Sequence, residues 1–243
     1  MAEATKNLRV LAAPIAFNEE RKIGSVLSRF NHGDVNEILV VDDCSTDATA
    51  AVARSQGATV ITRDRRGGAG AAIRTAIEYA RKNHFDVLVI LAGNDKDRAE
   101  EIPRLVKPIG EEGYDFIQGS RYLPGGDYGN MPVYRQIASK FLHPWLFSLA
   151  AGRRITDSTN GLRAFRLSIL DDPRIDLTQD WLDQYELEPY VFFKAITLGY
   201  KVKEVPVTKI YPPKQLGYTK MKPIIGWWSI LRPIFLLGLR IKR

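Results

Sequence analysis

One repeating unit restricts the fold of this chain more than any other feature. A short apolar run ends in an acidic or amide cluster and is followed by a helical pattern. Leu8–Pro14 (LRVLAAP) reads as a buried strand and leads into Asn18-Glu19-Glu20. A helix-period segment follows with Ile23, Val26, Leu27 and Phe30. Glu37–Val41 (EILVV) ends at Asp42-Asp43 and precedes a helix through Ala48–Ser55, with Ser45 or Thr46 as its expected N-cap. Ala58–Ile61 is a third short strand, and Gly67, Gly68 and Gly70 open a helix through Ala71–Arg81. Phe85–Leu91 (FDVLVIL) runs into Ala92–Asp97, a helix starts near Glu100, and Asp115–Gly119 is another strand. Strands alternating with helices predict an α/β fold: a mostly parallel sheet with helices on both faces. In such sheets ligands sit at the carboxyl ends of the strands. Three polar clusters in consecutive units fall there, which is the strongest sign of a site.

From Gly119 onward the pattern is less regular. It predicts a loop through Pro124-Gly125-Gly126, a long apolar helical stretch Met131–Ala151 and a polar turn Asp157–Arg163. A helix Glu186–Leu198 and an alternating strand Lys201–Thr208 complete the reading. With 243 residues and 45% apolar content, the chain supports one sizeable core. The expected division is a single catalytic-type domain over 1–222 and an amphipathic basic segment over 223–243.

Net charge is +7 and the pI about 9.4, which favours an anionic partner. The basic residues lie among strand-end acids or in an apolar tail and form no stripe, so nucleic acid is not the expected partner. Cys44 is the single cysteine, so no intramolecular disulfide forms. Met1–Arg9 lacks the apolar run of a secretory signal, and no stretch reaches the roughly 20 apolar residues that span a bilayer. These readings predict a cytoplasmic protein, peripheral at the cytoplasmic face of a membrane.

Asp42 and Asp43 suit the N–H groups of a base or the hydroxyls of a ribose. Helix capping is an equally open reading of the pair. Arg65-Arg66-Gly67-Gly68-Ala69-Gly70 places cations and backbone N–H groups at a helix start, as a diphosphate would need, although a close-packed turn has the same composition. Asn94, Asp95 and Asp97 offer oxygen ligands for Mg²⁺ or Mn²⁺. His32, His84 and His143 are scattered and read as structural.

Taken together, the motifs resemble family 2 glycosyltransferases of the GT-A (Rossmann-like) fold, on the dolichol-phosphate mannose synthase and polyprenyl-phosphate glycosyltransferase branch. Pro14–Glu20 is similar to that family's P-x-x-N-E opening, and Val40–Asp47 to V-D-D-x-S-x-D. Gly68–Ala72 resembles G-x-G-x-A, Gly119–Tyr122 resembles G-S-R-Y, and Asp157–Phe165 resembles D-x-T-S-G-F-R-A-[YF]. Glu204–Val207 resembles E-V-P-[IV], and Gly217–Met221 resembles G-x-S-K-L. The resemblance implies a nucleotide diphosphate sugar (UDP or GDP) as donor and inverting displacement at the anomeric carbon. Pro14, Phe17, Glu19, Asp42 and Asp43 would hold the nucleoside, with Gly68, Gly70 and Asn94 nearby. Arg121, Arg163 and Lys220 would face phosphates, and Glu188 falls at the acid of the family's F-Q-x-E segment.

The family's D-x-D metal motif lands on Ala92-Gly93-Asn94. Mg²⁺ or Mn²⁺ would then have to be held by Asp95 and Asp97, one residue out of place, with Lys96 available to offset leaving-group charge. Catalytic roles are therefore expected for Asp95, Asp97, Glu188 and Arg163. A polyprenyl phosphate acceptor is already ionised, whereas a hydroxyl acceptor needs a base, for which Asp183, Glu186 and Glu188 are candidates. Pro223–Arg243, with Trp227, Trp228, Arg232, Arg240, Lys242 and Arg243, suits an anionic membrane surface. A core-packed helix and a homo-oligomer contact remain open for it. Two alternatives stand beside a lipid acceptor: a soluble metabolite acceptor, and nucleotide-sugar binding with reduced or lost catalysis.

Overall fold

A computed structural model describes residues 8–31, 33–212 and 225–242 of the chain. The elements in order are β1 (Val10–Ala16), α1 (Ile23–Leu27), β2 (Glu37–Asp42), α2 (Thr49–Ser55), β3 (Thr59–Thr62), α3 (Ala69–Lys82), β4 (Val87–Ala92) and α4 (Ile102–Glu111). They continue with β5 (Phe116–Ser120), α5 (Val133–Ile137), α6 (His143–Ala151), β6 (Arg163–Arg166), α7 (Leu187–Thr197), β7 (Val202–Pro206) and α8 (Ile225–Gly238).

Seven strands form one sheet in the order β3-β2-β1-β4-β6-β5-β7. The sheet is mostly parallel, as expected. β6 is the exception, running antiparallel to both β4 and β5. The sequence gives no apolar run there, because β6 is only Arg-Ala-Phe-Arg with its apolar pair in the middle. Successive strand residues face opposite sides, and both sides are covered. Leu11, Ala13, Leu39, Val41, Leu88 and Ile90 join one core with α3 and α7. Val10, Ala12, Val40, Val87, Val89 and Leu91 join the other with α1 and α4. α3 is helical for the expected reason: Ala72, Ile73, Ala76, Ile77 and Ala80 lie on its buried face.

β1 lies between β2 and β4, so the chain leaves it in opposite directions across the sheet. This topological switch fixes a crevice beyond Ala16 and Ala92. Pro14 sits within β1, where its missing N–H coincides with a gap in the β1–β2 ladder between Ala12↔Ile38 and Ile15↔Val41.

The expected cap of α2 is replaced. Ser45 turns its hydroxyl to Asp42, and the first N–H groups of the helix are taken by acids instead. Asp47 accepts from Thr49 N–H (3.0 Å) and Glu20 from Ala48 N–H (3.0 Å).

The apolar stretch after Met131 is helical as read, but it contains a π-helical turn, Ala138–Leu142, between α5 and α6. α8 packs against α6 and α7 and buries Ile234 and Leu237 in the core. No helix among the described residues is long and apolar enough to cross a membrane.

Candidate active site

A cleft of about 660 Å³ opens at the switch point. Its floor is Ile15, Ala16, Ile90, Leu91 and Ala92 from the ends of β1 and β4. One wall carries Phe17, Glu19, Lys22, Asp43, Arg66 and Gly68. The opposite wall carries Arg121, Arg135, Ser139, His143, Thr159, Tyr211 and Ile230, with Arg163, Tyr185 and Glu188 between.

The nucleoside-side residues reach this cleft in different ways. Phe17 lines it and the Arg66 guanidinium lies 4.0 Å over its ring. Glu19 is buried, bound to Lys22 Nζ at 2.5 Å. Asp43 also lines the cleft, but its oxygens are engaged by Gly67 N–H (2.9 Å), Gly68 N–H (2.8 Å) and Arg63 Nη1 (2.6 Å). It therefore shapes the glycine turn. Asp42 does not line the cleft: buried behind it, its carboxylate accepts from the N–H (3.2 Å) and hydroxyl of Ser45. Pro14 is likewise a buried strand residue off the lining.

The glycine turn corrects a second expectation. Gly70 N–H donates to Gln184 O (2.6 Å) and Ala71 N–H to Asp183 O (3.0 Å). The start of α3 is thus spent on the 182–184 loop, and no diphosphate cradle is left there. Gly68, at φ 97°, lines the cleft, whereas Gly70 packs so closely on Leu182 O that a side chain has no room. A close-packed turn is what these glycines serve.

The expected metal ligands do not converge. Asp95, at φ 61°, turns away from the cleft to pair with Arg29 and accept from Ser25 Oγ (3.1 Å). Asp97 is buried, accepts from Ala92 N–H (3.0 Å) and is bound by Lys209 Nζ (2.5 Å). Among the described residues no three His, Cys, Asp or Glu side chains are grouped to hold a metal ion. Asn94 does face the cleft, with its buried Oδ1 unpartnered, but one amide oxygen is not a ligand set for a hard cation. Mg²⁺ or Mn²⁺ held by Asp95 and Asp97 does not fit this geometry.

In place of ligands the cleft holds Lys96. It is buried, and its ammonium lies 4.4 Å over the Tyr211 ring. Burial, then the nearby charges of Lys209 and Arg135, push it down to about 7. Arg135, Lys209 and Tyr211 were not singled out by sequence. They carry no local motif, and Lys209 meets Asp97 across 112 positions.

The remaining residues form ion pairs along the cleft. Arg121 makes a fork with Asp157 (Nε–Oδ2 2.6 Å, Nη2–Oδ1 2.8 Å) and also donates to Thr159 Oγ1 (2.6 Å). Burial works against the Asp157 carboxylate, but the charge and hydrogen bonds of Arg121 win and hold it below its ordinary range. Arg163 is buried beside Glu188, with Nη2–Oε1 at 3.5 Å and Nη1 donating to Glu188 O at 2.8 Å. Both line the cleft, and they face each other there, a pairing that the sequence reading, with Arg163 toward a phosphate and Glu188 as an acid, does not contain. His143 bridges the wall to α8: Nε2 is 3.1 Å from Ile230 O and Nδ1 is 2.7 Å from Ser158 Oγ. Lys220, Arg243, His32, the Gly217–Met221 motif and the side chain of Trp227 lie outside the described residues.

A family model, glycosyl transferase family 2, matches residues 15–172, spanning β1 to just beyond β6. The chain belongs to glycosyl transferase family 2. It is 32% identical over 221 residues to polyprenol monophosphomannose synthase of Mycolicibacterium smegmatis, covering 88% of this chain and 81% of that one. It is 30% identical over 224 residues to undecaprenyl-phosphate mannosyltransferase of Micrococcus luteus, covering 88% of each. Among solved structures, glucosyl-3-phosphoglycerate synthase from Mycobacterium tuberculosis, with Mn²⁺, UDP-glucose and phosphoglyceric acid, superposes with a TM-score of 0.69. That match covers 99% of this chain and 83% of the other at 20% identity, which makes the likeness one of fold. This family 2 member is therefore a nucleotide-sugar-dependent glycosyltransferase on a GT-A fold, and its cleft is the candidate active site.

Proposed function

We propose that this glycosyltransferase moves a hexosyl group from a UDP- or GDP-sugar to the phosphate of a polyprenyl phosphate, with inversion, at a membrane surface. The observation that carries the reading is an apolar ridge at the acceptor end of the cleft. Val133, Ile137, Phe141, Trp145 and Leu149 recur every four residues along α5, the π-helical turn and α6, and all are exposed. On α8 and just beyond it, Trp228, Phe235, Leu239 and Ile241 are exposed as well. Soluble proteins seldom leave such a run uncovered unless it meets a partner or a membrane. The same helices send Ala138, Ser139, His143 and Ile230 into the cleft. A lipid tail lying along the ridge would bring its phosphate to the cleft mouth. Lys140, Arg240 and Lys242 are exposed beside the ridge, where anionic headgroups would meet them. The names of the relatives from Mycolicibacterium smegmatis and Micrococcus luteus support a polyprenyl phosphate acceptor.

The three acids read as candidate bases favour phosphate over a hydroxyl. Asp183 is paired with Arg74, and Glu186 is buried against Arg232 at 2.7 Å; neither lines the cleft. Glu188 does, but Arg163 faces it. An ionised phosphate attacks without a base, so the bond from the acceptor oxygen to the anomeric carbon forms as the bond to the nucleoside diphosphate breaks.

The test is to incubate the protein with labelled UDP- and GDP-hexoses and vesicles containing polyprenyl phosphate. Label passing into the organic phase only when the lipid phosphate is present is the expected result. Transfer to a water-soluble acceptor instead, or vesicles that fail to bind the protein while it self-associates through the ridge, would overturn the lipid reading.

A further inference from the structure

We infer that this enzyme neutralises the donor diphosphate with Lys96 and not with a divalent metal. The inference rests on the cleft being the donor site, as proposed above. It starts from a mismatch between carboxylates and cations. At the switch point, where the leaving group of a nucleotide sugar has to be stabilised, the chain offers Ala92, Gly93 and Asn94. Gly93 is closely packed: a side-chain carbon there would meet Ala16 Cβ at 3.0 Å and Ile15 O at 3.1 Å, so these neighbours would have to give way. The two neighbouring carboxylates are used elsewhere, Asp95 by Arg29 and Asp97 by Lys209 and Ala92 N–H.

Lys96 stands between those two acids and forms no ion pair with any described residue. Only 6% of it is exposed, yet it lines the cleft. The cleft's other fully buried cations have carboxylates: Lys22 has Glu19, Arg121 has Asp157 and Arg163 has Glu188, and the half-buried Lys209 has Asp97. A buried ammonium without a counterion is costly, and more so with Lys209 and Arg135 nearby. An anion bound in the cleft removes that cost. A diphosphate is the anion that a glycosyltransferase brings to this place. Its bridging and terminal oxygens accept the three N–H donors of an ammonium, and charge that grows on the leaving oxygen as the glycosidic bond breaks is met by a fixed cation. A metal ion brought to the same place would be repelled by Lys96 and would find, among the described residues, no group of three His, Cys, Asp or Glu side chains to hold it.

The test is calorimetric titration of the whole protein with UDP and GDP, and with UMP and GMP, in EDTA and again in Mn²⁺. The nucleoside diphosphate that binds does so equally well in EDTA and in Mn²⁺. Lys96→Met weakens the diphosphate by about 10- to 100-fold, the scale of one charge-assisted hydrogen bond, and leaves the monophosphate within about twofold. Lys96→Arg recovers most of the loss. Retained monophosphate binding shows that the variant is folded. Diphosphate binding that requires Mn²⁺, or a Lys96→Met protein that binds the diphosphate like the parent, overturns the inference while the donor site stands. Binding of none of the four nucleotides removes the donor site and this inference with it.

Discussion

Acidification should loosen this protein through one histidine. His143 sits between α6 and α8 and is buried (4% exposed). Ile230 O can only accept, so Nε2 carries the hydrogen and Nδ1 accepts from the Ser158 hydroxyl. The imidazole is thus fully bonded when neutral. Protonating it adds a buried charge beside Arg121. Desolvation is the largest cause and outweighs the Ile230 carbonyl and the Asp157 carboxylate, which favour the proton; His143 goes from 6.5 down to about 4. The unfolded chain takes up a proton near 6.5 and the folded chain only near 4, so the unfolded state holds more protons between the two. Stability is therefore complete above the upper value and is lost as pH falls toward the lower one. One pH unit of separation is worth about 1.4 kcal/mol, so the full loss is about 3 kcal/mol, and about 2 kcal/mol is gone by about pH 5. Urea unfolding at about pH 7.5 and about pH 5 measures it, in the parent and in His143→Asn, where the remaining histidines and carboxylates titrate unchanged. The parent should lose about 2 kcal/mol more than the variant over that interval. Equal losses in the two proteins would refute the argument that burial holds this imidazole neutral.

Three further outcomes follow from single contacts. Asp157→Asn leaves the Arg121 guanidinium buried without its counterion. It should cost about 3–5 kcal/mol in urea unfolding, or prevent soluble expression, whereas a surface-like cost below about 1 kcal/mol would contradict the buried pair. Gly70→Ala drives a methyl group into Leu182 O and should lower the melting temperature by several degrees, for about 1–3 kcal/mol of overpacking, while Gly57→Ala, at φ 82° but with open space around it, should cost less. Phe141→Asp with Trp145→Asp removes two exposed ridge residues; vesicle sedimentation should drop sharply while nucleotide affinity and melting temperature stay near the parent values, and unchanged sedimentation would separate the ridge from the membrane.

Where sequence periodicity was strong, it led to the cleft; where side-chain direction decides which residues line it, it did not. The three strand-end clusters lie at the mouth of the cleft because apolar runs set the strands, and the strand order places β1 beside β4. Phe17, Glu19, Asp43, Gly68, Asn94, Arg121, Arg163 and Glu188 all reach the lining. Asp95 does not, because a left-handed backbone at φ 61° turns it toward Arg29. No local pattern announces that turn. Asp42 ends β2 and Asp43 follows the strand; Asp43 lines the cleft, while Asp42 is buried behind it against Ser45. Lys209, Arg135 and Tyr211 reach the site from distant segments without a motif of their own. The glycines at the start of α3 fit a phosphate loop and a packed turn equally well. The 182–184 loop, more than 100 positions away, decides between them.

The configuration of the product's anomeric centre tests the central claim most directly. After reaction with the nucleotide hexose and polyprenyl phosphate, the extracted lipid should show by ¹H and ³¹P NMR a hexosyl group on the phosphate oxygen, with the anomeric configuration opposite to that of the donor. A lipid product with retained configuration, or a sugar found on water or a soluble hydroxyl with the lipid phosphate untouched, would contradict it.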